Sequence, residues 1–229
     1  MADYWFTPYK GIVISYNTLR RLVGAIGVAL PIVLGGVGWF LTGKLEPSIS
    51  AYYYTDLRDW FVGSLWAFGV FLIAYRLGRL DNVLATVAGV LAIVVSLIPT
   101  AATGTPEGAR SVGAMVHLIC AGGFFVLLAV LSLLFAKDRD HYKPTFGQKV
   151  LHRVCAGCIL LSVVGCLFVI MNSGKDVQAD TTLVFWFETA GVVAFGVSWF
   201  TTVDSIVPVF ARKATQDRSG ESAISMAQR

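Results

Sequence analysis

VGAMVHLICAGGFFVLLAVLSLLFA, residues 112–136, runs for 25 positions without an Asp, Glu, Lys or Arg and with one histidine, His117. A helix needs about 20 predominantly apolar residues to cross a hydrocarbon core, so this stretch spans a bilayer with residues to spare. A transmembrane β-strand would alternate polar and apolar residues over about ten positions; this run is continuous. The segment is therefore a membrane helix, and the rest of the chain can be read against it.

Five further runs resemble it. Leu22–Gly43 carries no charge, Val83–Ala102 forms the third in chain order, and Val154–Met171 holds no Asp, Glu, Lys, Arg or His. Trp60–Tyr75 is shorter and is extended by Asp56–Asp59 on one side and Arg76 on the other, while Thr182–Phe210 contains Glu188 and Asp204. The whole chain agrees: 229 residues, 56% hydrophobic against 14% charged, with a mean hydropathy of +0.70. That composition excludes a water-soluble globule, a nucleic-acid module and a disordered chain, each of which needs far more polar surface. The expected fold class is all-α, a polytopic membrane protein of six transmembrane helices.

Basic residues set the orientation, because cytoplasmic loops retain Lys and Arg. Lys44, Arg58, Arg110 and Lys175 fall on one side of the six runs and the remaining fourteen of the 18 Lys and Arg on the other. The asymmetry predicts cytoplasmic N and C termini, outward first, third and fifth loops, and a multi-pass protein of the cell (plasma or inner) membrane. Residues 1–21 read as a cytoplasmic interfacial N-terminus, with Tyr4, Trp5, Phe6, Tyr9 and Lys10 at headgroup depth. Residues 22–210 form the six-helix transmembrane domain, and residues 211–229 a disordered cytoplasmic tail. No A-x-A-like site closes a short apolar region, so the first helix is expected to stay as an uncleaved anchor.

The four cysteines, Cys120, Cys155, Cys158 and Cys166, lie inside predicted spans, and Cys155-x-x-Cys158 reads as a pair of small packing residues buried on a helix face. Many of the 23 glycines also lie in spans, where small residues allow close helix approach and a possible homo-oligomer through Gly-rich faces. Pro31 sits in mid-span, where it removes an internal hydrogen bond.

Ionisable groups in the apolar runs are the functional candidates, because burying one in lipid is expensive. Glu188 and His117 stand about five or six residues inside the predicted outer ends of their spans, roughly 7–11 Å deep at ~1.5 Å per residue. A second group lies in Glu46–Asp59, where Thr55 is expected to cap the second helix, with Asp56 in its first turn and Asp56 and Asp59 on one face. Tyr52, Tyr53 and Tyr54 read as an aromatic belt. One reading gathers Ser48, Ser50, Tyr54, Asp56, Arg58, Asp59, His117 and Glu188 into an outward-open polar pocket for a lipid or small amphiphile. Another pairs Glu188 with His117 to fix helix register. A membrane-embedded hydrolase would use Asp56 or Asp59 with His117 on a lipid ester or amide; a proton-coupled transporter would use Glu188 and His117 as a relay. The relay needs polar groups through the full thickness, and the inner half offers little besides Asp204. Asp81 and Asn82 read as a short inner turn, and His141 and His152 as solvated loop residues. Membrane lipids are the expected partners and nucleic acid is not. No zincin, α/β-hydrolase or Walker sequence is present.

The stretch Ser48-Ile-Ser-Ala-Tyr-Tyr-Tyr-Thr-Asp-Leu-Arg-Asp-Trp-Phe-Val-Gly63 resembles an uncharacterised group of bacterial six-span membrane proteins with a similar first outer loop. That resemblance implies the six-span fold and no particular activity. A serine and acids near the second span also resemble, more distantly, the alkaline ceramidase and adiponectin-receptor superfamily, seven-span hydrolases with a zinc held by three histidines. The superfamily pattern has a histidine shortly after the serine and H-x-x-x-H in the last span. Here Tyr54 stands four after Ser50 and the last span has no histidine, so a zinc cofactor is not supported and no metal ligand is carried over.

Overall fold

The computed structural model describes residues 10–76, 78–102, 111–138, 143–172 and 181–202, with side chains from residue 18 onward. Among the described residues there are six long helices: α1 Lys10–Thr42, α2 Arg58–Ala74, α3 Arg79–Leu97, α4 Val112–Phe135, α5 Phe146–Asn172 and α6 Leu183–Thr202, with a 3-10 turn at Ser50–Tyr54. Five of them, all but α2, are long and apolar enough to cross a membrane, α1 through its part Thr18–Thr42. Without water in a bilayer core, helices satisfy their backbone polar groups internally, and the chain is a polytopic membrane protein.

The boundaries correct the sequence reading in three places. α1 starts at Lys10 rather than at residue 22, so residues 10–21 continue the helix. Counting uncharged residues locates the hydrocarbon boundary, and a helix need not stop there. α3 ends at Leu97, not Ala102, because Pro99 drives the residue before it out of the helical region: Ile98 has φ −101 and ψ 109. α5 begins at Phe146, eight residues before Val154, so His152 and Arg153 are helical. α1 itself runs through Pro31 and ends at Thr42, followed by Gly43, whose φ of +68 is the left-handed conformation that glycine adopts without strain. At the other end of α2, Arg76 Nη1 donates to the carbonyls of Ile73 and Tyr75, closing the helix with a cation. Residues 1–9, Asp204, His141, Arg110, Lys175 and the tail 211–229, for which the sequence also set expectations, lie outside the described residues.

Packing is set where backbones touch. A β-carbon on Gly69 of α2 would stand 2.7 Å from the Gly89 carbonyl oxygen of α3, and one on Gly89 would meet the Gly69 oxygen in return. α1 and α6 approach in the same way at Gly24 and Gly196. Gly36, Gly63, Gly122 and Gly157 instead face open space. Phe68, Phe124 and Phe195 form an aromatic layer in the middle of the bundle, with ring centroids 5.7 Å apart for both Phe68 pairs. Cys155 is buried, but Cys158, expected beside it in the interior, faces outward one turn later; all four cysteines are free thiols.

Candidate functional site

The loop from Lys44 to Leu57 folds back against the bundle, and the two intramembrane ionisable groups hold it there. Glu188 Oε2, on α6, accepts the Ile49 amide at 2.6 Å. One turn earlier on α6, the Phe185 amide donates to the Pro47 carbonyl at 2.9 Å. From α4, His117 Nε2 lies 3.0 Å from Ser50 Oγ, while Nδ1 bonds to the Ile98 carbonyl at the end of α3. A carbonyl only accepts, so Nδ1 carries a proton; in the neutral ring Nε2 is then the acceptor for the Ser50 hydroxyl.

These contacts settle how Glu188 and His117 relate. They make no ion pair with one another; they grip consecutive loop residues, Ile49 and Ser50, from different helices. The register pair, one of the two readings the sequence left open, is thus replaced by two bonds to the loop. Each polar group finds a partner that the loop itself brings, which is how such groups are tolerated in apolar surroundings. Inside the loop, Ser48 Oγ accepts the Ala51 amide at 3.0 Å, and Tyr54 donates to the Thr100 carbonyl at 2.6 Å, tying this loop to the α3–α4 connection. Tyr52 does not join an aromatic belt: it is buried against Phe185, its ring filling the space beside Gly38. Burial pushes the Tyr52 phenol above its ordinary range, so it stays neutral at physiological pH.

The acids lie elsewhere. Thr55 does not cap α2: its hydroxyl donates to Tyr52 and accepts the Leu57 amide, and α2 begins at Arg58 with no side-chain cap. Asp56 is therefore outside the helix rather than in its first turn, and the shared face with Asp59 is lost. Asp56, Arg58 and Asp59 are all exposed, whereas Ser50 and His117 are buried at 8% and 3% exposure. The structure thus divides the candidate set into a buried clasp (Ser50, His117, Glu188, with Ser48 bracing the loop) and an exposed rim (Tyr54, Asp56, Arg58, Asp59). On that rim Arg58 is preorganised. Its Nη2 donates to the Tyr53 hydroxyl at 2.7 Å and its guanidinium carbon stands 4.3 Å from the Tyr53 ring centroid.

Sequence reasoning missed a second buried polar group at the opposite end of the bundle. Arg20, counted only as a topology marker, is fully buried among Tyr75, Phe135 and Trp199 and donates to the Tyr75 hydroxyl at 2.8 Å. His152 is not solvated: it is buried in α5 with Nδ1 2.9 Å from Ser198 Oγ of α6. Asp81 is not in a turn but buried in the first turn of α3. The end of the bundle away from the Lys44–Leu57 loop is consequently richer in polar groups than Asp204 alone suggested. One sequence signal pointed to it: the stripe Gly191, Phe195, Ser198 and Thr202 that begins at Glu188 on α6 is buried along its length, and its far end meets this group.

Among the described residues no three His, Cys, Asp or Glu gather as a metal site. His117 has both ring nitrogens engaged, so a metal there would have to displace either the Ile98 carbonyl or Ser50. No protein-family model matches the chain, and no curated protein or solved structure matches it.

Proposed function

We propose that this chain is a six-span protein of the cell membrane, with both termini cytoplasmic, whose outward loop end binds a lipid or small amphiphile. α2 supplies the sixth span: its 17 residues stand at the short end of what a bilayer accepts, about 17–25. The fourteen-to-four distribution of basic residues supports the orientation. In a background with the native cysteines replaced, Gly108→Cys and Gly174→Cys are expected to react with an impermeant maleimide on intact cells, and Ser219→Cys only after permeabilisation. Labelling of Ser219→Cys without permeabilisation would reverse the topology.

The observation that carries the binding reading is the Arg58 rim. An exposed guanidinium is held by Tyr53, with exposed acids at Asp56 and Asp59 and the exposed Trp60 ring on the same stretch. Such an array offers a cation to a phosphate or carboxylate headgroup, acids to an amine, and an aromatic face at interfacial depth. The transport reading has less support. Glu188 and His117 each bond to the loop rather than to each other, and the Phe68, Phe124 and Phe195 layer separates the two polar ends. Gly36, Gly122 and Gly157 are where a second copy would pack.

The binding reading is tested by native mass spectrometry of protein purified in mild detergent and titrated with phosphatidylglycerol. Arg58→Ala is expected to weaken retention roughly tenfold, the worth of one or two charge-assisted hydrogen bonds. Equal retention in the variant would remove the rim from the site.

A further inference from the structure

We infer that Ser50 and His117 form a nucleophile–base pair for acyl transfer, acting on the carboxylic ester of an amphiphile delivered at the loop end. The inference deepens the amphiphile-binding reading and rests on it for its substrate class. Three features of the geometry carry it.

The first is the pair itself. Ser50 Oγ and His117 Nε2 lie 3.0 Å apart, within reach for direct proton transfer. The second is that the base is oriented by a third group. The Ile98 carbonyl holds Nδ1–H, which fixes the tautomer that presents an unprotonated Nε2 to the hydroxyl. A nucleophile beside a base, and a base aimed by a further acceptor, is the arrangement by which a weak hydroxyl nucleophile is activated. The third is the backbone around the serine. The Ile49 amide is taken by Glu188, the Ala51 amide by Ser48 and the Tyr52 amide by the Ile49 carbonyl. Among the described residues the Ser50 amide has no such acceptor, and the amide of a nucleophilic serine is a natural donor to the oxyanion that its own hydroxyl generates.

The clasp has a purpose in this scheme. A serine on a loose extramembrane loop would not keep a fixed distance to a histidine on α4. Glu188 at Ile49, Phe185 at Pro47 and Tyr54 at Thr100 pin the loop on both sides of Ser50. Glu188 is thus a positioning residue, acting on Ser50 through the Ile49 backbone.

The step balances without a cofactor. Ser50 Oγ forms a bond to the acyl carbon as its proton passes to His117 Nε2. The bond from that carbon to the alcohol oxygen breaks, and Nε2 returns the proton to the departing alcohol. Water then attacks the acyl-serine by the same proton route, releasing a carboxylic acid and restoring the Ser50 hydroxyl. Throughout, Nδ1–H stays on the Ile98 carbonyl.

The test uses an alkyl fluorophosphonate on the full-length protein in mild detergent, read by intact and peptide mass spectrometry. One adduct on Ser50 is expected, absent in Ser50→Ala and formed at least about 100-fold more slowly in His117→Gln, the scale of general-base assistance. Every variant is first required to elute as the same monodisperse species. Ser50→Cys, in a background lacking the native cysteines, is the second probe: its alkylation by iodoacetamide is expected to slow when His117→Gln is added. No adduct on wild type, or equal rates with and without His117, overturns the inference. Phosphatidylglycerol retention that depends on Arg58, without a Ser50 adduct, would retain the binding reading and discard the reaction. A His117-dependent Ser50 adduct without such retention would retain the nucleophile and discard the Arg58 rim as the lipid site.

Discussion

Glu188→Ala is expected to release the loop Lys44–Leu57 from the bundle. The substitution removes the acceptor of the Ile49 amide and leaves that donor without a partner in partly buried surroundings. A hydrogen bond contributes about 0.5–1.5 kcal/mol net, and an orphaned buried donor costs about 1–3 kcal/mol. Hydrogen exchange at Ile49 should then accelerate by roughly 10- to 100-fold, since every 1.4 kcal/mol is tenfold. Glu188→Gln keeps an acceptor oxygen, so its exchange should stay much closer to wild type. Unchanged exchange in Glu188→Ala would show that Phe185 and His117 hold the loop without it. The same comparison separates holding from chemistry, because a group that only positions the loop is replaceable by any side chain that accepts the Ile49 amide.

Gly89→Leu is expected to have the larger effect on folding. At the α2–α3 crossing the two backbones touch, so an added β-carbon lies 2.5 Å from the Gly69 carbonyl oxygen, closer than atoms pack. Backbone cannot rotate aside as a side chain can. The helices must separate, and the contacts of Leu72, Ala85, Ala88 and Ala92 in the same core loosen with them. Overpacking of this kind costs about 1–3 kcal/mol, and more where backbone is the obstacle. Size-exclusion chromatography in detergent should show the monodisperse peak lost or strongly reduced. Gly63→Leu is the matched control, because a side chain at Gly63 meets only open space. Equal profiles for the two variants would contradict the close crossing.

Both outcomes turn on features of unequal legibility in the sequence. The small residues of the spans announced close packing, but not which of them met: Gly69 and Gly89 touch, whereas Gly63, six residues before Gly69, does not. Glu188 and His117 were recognisable as expensive residues that needed partners. Their partners were not recognisable, because the Glu188–Ile49 and His117–Ser50 bonds join residues 139 and 67 positions apart. No local pattern encodes such a separation. Arg20 shows the converse error, since a basic residue at the edge of an apolar run is read as facing water unless three aromatic rings from α2, α4 and α6 are known to enclose it.

What the sequence determined by itself is the helical membrane character of the chain. Apolar runs long enough to cross a bilayer admit few solutions, because a lipid-facing backbone must bond within its own helix. The end of α1 was equally local, written in Gly43, whereas the end of α3, set by the Pro99 that follows Ile98, was read past to Ala102. Tertiary structure alone decided which polar groups share a site. It turned Asp56 and Asp59 outward, drew Ser50 in beside His117, and buried Arg20 and His152 at the far end. The physical reason is that lipid and protein interior are similarly apolar, so hydrophobicity does not distinguish the inward face of a helix from its outward one. Only the hydrogen bonds and backbone contacts that close the bundle make that choice.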